Sequence, residues 1–148
     1  MRRILGTRAA ALTLASAALL GGLVAAPDAS ATDWGGCRAW EPVAAGVTLS
    51  PCAYPTIDGR LNGWTYVSDP AGLNIDVCAQ VLRVNPDGST TEVADLHCAG
   101  WNKQPWAFQP GYLSIAPGKY VVQAGFWATI NGHYGYQGFV QSPRVDIP

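Results

Sequence analysis

Pro117-Gly118-Lys119-Tyr120-Val121-Val122-Gln123-Ala124-Gly125-Phe126-Trp127-Ala128-Thr129-Ile130 is followed at once by Asn131-Gly132. The run is dense in β-branched and aromatic residues, which fit a pleated, half-buried surface. Asn-Gly supplies the two positive-φ residues that a tight hairpin loop demands. His133-Tyr134-Gly135-Tyr136-Gln137-Gly138-Phe139-Val140 then reads as the returning strand. Pairing Ile130 with His133 sorts the side chains onto two faces. Ala124, Phe126, Ala128 and Ile130, with Phe139, form the expected core face. Gln123, Gly125, Trp127 and Thr129, with Tyr134, Tyr136 and Gly138, form the other. That second face is either covered by another segment or a contact surface, with Gly125 and Gly138 as a flat pair beside the rings. A strand this apolar must be covered, so the rest of the chain has to supply a second sheet.

Working outward, Leu73 to Val84 alternates cleanly. Leu73, Ile75, Val77, Ala79 and Val81 share one face, and Asn74, Asp76 and Gln80 the other. Thr90 to Cys98 returns from an Asn85-Pro86-Asp87-Gly88 turn. Leu61 to Val67 is a further strand, closed by Asp69-Pro70, and Tyr112 to Ile115 another. Pro42, Pro51 and Pro55 break up the region before these, leaving a short edge strand near Val47-Thr48-Leu49. Ala99 to Pro110 reads as a loop rich in aromatics, with Trp101, Trp106 and Phe108. No useful helical period appears outside the N-terminal leader. About seven short strands with turns between them predict an all-β chain, a two-sheet antiparallel β-sandwich of immunoglobulin-like type.

Residues 1–31 read as a signal peptide. Arg2, Arg3 and Arg8 give a basic start, Ala9 to Ala26 is apolar, and Ala29-Ser30-Ala31 fits a small-x-small cleavage site. Cleavage leaves a mobile arm at 32–36 and a domain at 37–148, with no membrane segment. It removes three of the nine basic residues and one of the ten acidic ones, so the net charge becomes −3. That sign and the lack of a basic patch exclude a nucleic-acid partner. Four cysteines in an exported small domain read as two disulfides. Three pairings are possible. Cys37–Cys52 with Cys78–Cys98 is favoured, because the latter two lie nearly symmetric about the Asn85–Gly88 turn. The tight Cys spacing of a zinc site is missing, and neither a metal nor a cofactor is expected.

Catalytic signals are thin. Asp95 and His97 share a face if their strand is regular, but there is no nucleophile elbow to complete a triad. Asp58, Asp69 and Asp87 sit in Asp-Gly or Asp-Pro turns, where carboxylates hydrogen-bond their own backbone. Asp76 is on a convincing strand with no evident partner. The chain therefore reads as a non-enzyme that binds. Trp127, Tyr134 and Tyr136 are one candidate surface. Asp33, Trp34, Gly35 and Gly36 are another, because a Trp beside two glycines near a mature terminus can anchor a contact. A carbohydrate-binding module would use the same rings, and a secreted hydrolase inhibitor would use a rigid loop from Trp101 to Phe108.

The Ala29-Ser30-Ala31 site, the Asp33-Trp34-Gly35-Gly36 arm and the small two-disulfide β domain together resemble the adaptor subunit of the secreted umbrella toxin particles of filamentous actinobacteria. The resemblance implies an antibacterial toxin complex. In it the arm inserts into a cleft in the trypsin-like domain of a lectin subunit. The β domain docks on the repeats of a toxin polypeptide.

Overall fold

The computed structural model describes residues 34–101 and 107–148, with side chains at all of these except 107–111. The leader, Asp33 and residues 102–106 lie outside the described residues. Among the described residues ten strands follow in chain order: β1 Gly36–Cys37, β2 Glu41–Ala44, β3 Val47–Pro55, β4 Leu61–Ser68, β5 Ile75–Val84, β6 Thr90–Cys98, β7 Ala107–Leu113, β8 Gly118–Ile130, β9 His133–Gln141 and β10 Val145–Ile147. The first sheet runs β1-β3-β4-β7, with β2 also on β3, and the second runs β10-β8-β5-β6, with β9 also on β8. Every pairing is antiparallel. No helix among the described residues is long and apolar enough to cross a membrane.

The central hairpin forms as its sequence predicts. Asn131 and Gly132 take φ of 51° and 78°, and Ile130 pairs with His133. Strand β8 lies along β5 from Lys119 to Ala128. On their shared inner face Val122, Ala124, Phe126 and Ala128 meet Val81, Ala79, Val77 and Ile75. Val47, Leu49, Ala53, Leu61 and Val67 of the first sheet complete the same core cluster. The two sheets approach closely at Gly63 of β4, where a Cβ would lie 2.5 Å from Val122 Cγ2.

Three expectations need correction. Phe139 is not a core residue: it is 70% exposed. The register of β8 and β9 shifts between Ala124 and Phe126, so Val140, not Phe139, pairs with Ala124 and is buried. Gly138, at φ 84°, supplies the turn of that bulge. Strand β3 is not a short edge element but nine residues long, with neighbours on both sides. Pro51 is tolerated within it because its carbonyl, and hence its missing N–H, faces the gap between β1 and β2, where only Arg38 N–H donates to it (2.9 Å). Strand β7 begins at Ala107, so Phe108 lies on a strand and not in the expected loop, and Ser114 and Ile115 lie beyond it. Its register against β4 shifts between Gly63 and Thr65, which accommodates Pro110 in an edge-strand bulge.

The disulfides are Cys37–Cys52 and Cys78–Cys98. Each joins directly opposed residues of neighbouring strands, β1 to β3 and β5 to β6. Both bridges stay within a sheet, unlike the inter-sheet bridge of antibody domains.

One side of β8 serves two strands, and Ser142 lies between them. Its N–H donates to Val122 O (2.8 Å), and its Oγ accepts from Val122 N–H (2.9 Å) and donates to Pro143 O (2.9 Å). The side chain thus replaces a carbonyl where the ladder breaks. Ser142→Ala should leave the buried Val122 N–H without an acceptor and cost about 1–3 kcal/mol in chemical denaturation. Ser142→Thr, which keeps the hydroxyl, should recover most of that loss.

Candidate binding surfaces

Strand alternation turns Trp127, Tyr134 and Tyr136 to the outer face of the second sheet. Trp127 pairs with Tyr136, and Thr129 with Tyr134. The rings of Trp127 and Tyr134 stack at 5.3 Å and 14°, and Tyr136 meets Trp127 edge-on at 5.3 Å. Two residues outside the predicted set extend this row. Phe139, turned out by the bulge, lies 5.3 Å from Tyr136, and Trp101 lies 6.2 Å from Tyr134. Asp76 explains the second extension. Its Oδ1 accepts the Gly100 N–H at 2.7 Å, which holds the chain beside Trp101 against β5. The outcome is a continuous ladder, Trp101–Tyr134–Trp127–Tyr136–Phe139. Tyr134 is 63% exposed, so this face is a surface at its ends and half-buried at its centre.

Gly125 is the seat of a ring and Gly138 abuts an aliphatic side chain, so the two are not a flat open pair. A Cβ on Gly125 would lie 2.5 Å from Tyr136 Cζ and Oη, and 2.6 Å from Gln137 O. The Tyr136 ring therefore rests on the backbone of β8, next to Cys78, which pairs with Gly125. Burial there pushes the Tyr136 phenol up to about 12. Gly138 packs against β2, where a Cβ would meet Val43 Cγ1 at 2.8 Å.

The first sheet carries a second ladder that sequence reading missed. Tyr54 and Trp64 stack at 5.0 Å and 10°, Tyr66 meets Trp64 edge-on at 6.3 Å, and Trp40 lies 6.5 Å from Tyr66. The Arg60 guanidinium sits 5.2 Å above the Tyr112 ring. The signal was present in β4: Leu61, Gly63, Thr65 and Val67 share the inner parity, which forces Trp64 and Tyr66 outward.

At the N-terminal end Trp34 is 84% exposed. Gly35 acts by packing. A Cβ on Gly35 would collide with Ala53 O, and Gly36 pairs with Ala53 in β1. Trp34 therefore emerges directly from a strand that Cys37 staples to β3.

The carboxylates do structural work. Asp58 bonds Thr56 and Arg60, and the Arg60 guanidinium foremost holds its carboxyl down to about 2. Asp87 Oδ1 accepts from Ser89 N–H (2.9 Å) and Ser89 Oγ (2.6 Å), which lowers its pKa. The register of β6 shifts twice between Glu92 and His97, so Asp95 and His97 are not a regular pair on one face. Asp76, Cys78 and Cys98 bring ligand-type atoms within 4.8 Å of one another. Both sulfurs are consumed in a disulfide, and the Asp76 carboxylate holds Gly100, so the group is not a metal site. The chain matches no family model, no curated protein and no solved structure.

The seat under Tyr136 has a pH signature. A phenol whose folded pKa is raised contributes stability in full below pH ~10, and the contribution is lost as pH rises toward 12. Near-ultraviolet titration should show one phenol ionising near pH 12 in the folded protein, and Tyr136→Phe should delete that step.

Proposed function

We propose that the chain is an exported, non-enzymatic adaptor that grips two other proteins at once. The observation that carries this reading is the separation of its exposed rings. Trp34 projects from the edge of the first sheet, while the Trp101–Phe139 ladder lies on the outer face of the second. Large rings held on a rigid scaffold bring contact area at low entropic cost, which suits a contact anchor. Two cross-strand disulfides suit an oxidising, extracellular setting, in keeping with removal of residues 1–31 during secretion. The resemblance drawn from the arm supplies the partners: a lectin subunit for Asp33 to Gly36, and a repeat-bearing toxin polypeptide for the β domain with Trp127, Tyr134 and Tyr136.

The carbohydrate-module reading uses the same rings but fits their geometry less well. A sugar stacks on a free ring face. Here Trp127 and Tyr134 turn their faces on each other at 5.3 Å. A ring held between them would need about 7–8 Å, twice the usual carbon–carbon contact distance. The inhibitor reading depends on residues 102–106, which lie outside the described residues.

Tagged mature protein recovered from its own culture supernatant should carry a large repeat protein and a lectin, identified by mass spectrometry. Recovery of a bare monomer overturns the adaptor. Trp34→Ala should weaken the lectin contact by about 2 kcal/mol in interferometry. Retention on chitin, cellulose or peptidoglycan that disappears with Trp127→Ala would transfer the function to sugar binding.

A further inference from the structure

A pocket of about 440 Å³ lies at the end of the sandwich between the β3–β4 turn and β10. Its walls are mostly apolar: Trp34, Pro55, Ile57 and Ile147. Ile57 is fully exposed and adds to the apolar wall that Trp34, Pro55 and Ile147 form. The turn that presents it is tightly bonded. Thr56 N–H donates to Arg60 O (2.8 Å), Gly59 N–H to Thr56 O (3.0 Å) and Arg60 N–H to Thr56 Oγ1 (2.9 Å). Thr56 also lines the pocket, but its hydroxyl is committed within that turn.

Among the described residues, Asp146 is the single ionisable side chain of this lining, and no ion pair joins it. Its Oδ1 is covered from solvent and has no hydrogen-bond donor among the described residues. The described ion pairs are Arg38–Glu41 and Arg60–Asp58, and Asp146 is in neither. Lys119 pairs with Asp146 across the strands, yet it is exposed and does not line the pocket. Asp69 Oδ1 is similarly uncompensated, but it lies outside this lining. A covered carboxylate oxygen without a donor is costly, and a cation brought to the same carboxylate group offsets part of that cost through its charge.

We propose that the pocket bounded by Trp34, Ile57 and Asp146 receives a lysine or arginine side chain from the protein partner that docks at the Trp34 end. The aliphatic stem of such a residue lies along Pro55, Ile57 and Ile147. Its charged head reaches Asp146, with the Trp34 ring available as a cation–π wall. The net charge of −3 without the leader favours the same sign of ligand. The partner rests on the adaptor reading, but the pocket itself can be tested without any partner.

The probes are Nα-acetyl-lysine methylamide and its neutral counterpart Nα-acetyl-norleucine methylamide, titrated into the oxidised mature protein and followed by nuclear magnetic resonance. The lysine derivative should bind about tenfold more tightly and shift the Trp34 indole and the Ile57 and Ile147 methyl signals. Asp146→Asn should erase the difference between the two probes. Ile57→Ser, at a fully exposed site that cannot disturb the core, should weaken both probes equally. Equal binding of the two probes to the unaltered protein, or an Asp146→Asn variant that folds and keeps the preference, overturns the proposal. Lysine binding by a protein that recovers no partner keeps the pocket and removes the adaptor. Partner capture without any lysine preference removes the pocket alone.

Discussion

Strand β8 has to satisfy partners along both of its sides, and the rest of the molecule is arranged around that demand. One side is taken by β5 over ten consecutive pairs. The other is shared, first by β9 and then by β10, because the chain leaves the ladder at Ser142 and rejoins it at Val145. A buried backbone group left unpaired at that join would be costly, and the Ser142 hydroxyl prevents it. The inner face of the same strand meets the first sheet, and Val122 lies close against Gly63 there. Any residue larger than glycine at 63 would force the two layers apart there.

The outward face follows from the same strand. Because the register is regular from Phe126 to Ile130, Trp127 and Thr129 project on the same face, and β9 places Tyr136 and Tyr134 opposite them. The Gly125 seat lets the Tyr136 ring lie down on the backbone. The Gly138 bulge reverses the parity of β9, which buries Val140 and releases Phe139. The surface is thus built by two glycines with different tasks. One makes room for a ring, and the other changes which residues face out.

Much of this was readable from residue order. The Asn131-Gly132 hairpin, the β5 alternation and the symmetry of Cys78 and Cys98 about their turn are local signals, and each led to the observed pairing. The failures share a cause: the deciding partner lay far along the chain. Phe139 was assigned by strict alternation, and nothing local distinguishes a strand glycine that bends the ladder from one that only weakens it. Strand β3 was cut short at Pro51, because its spare face could be known only once β1 and β2 were in place. The β2–β3 turn is only half visible, since Gly46 at φ 84° marks it but Ala45 at φ 50° does not advertise a left-handed residue as Asn or Gly would. In the candidate binding regions, Trp34, Trp127, Tyr134 and Tyr136 are visible as aromatics. Asp146 and Ile57 are not, because a pocket between a turn and a terminal strand has no sequence signature.

The position of the Cys37–Cys52 bridge has a mechanical consequence. Strand β1 is two residues long and holds to β3 through two residue pairs, so hydrogen bonds alone would unzip under a modest tug. The covalent link sits at its second residue, three positions after Trp34. Tension applied by anything clasping that tryptophan is handed at once to a sulfur–sulfur bond and from there to a strand in the middle of the sheet. The N-terminal edge of the sheet therefore cannot be peeled away from β3 while that disulfide remains oxidised.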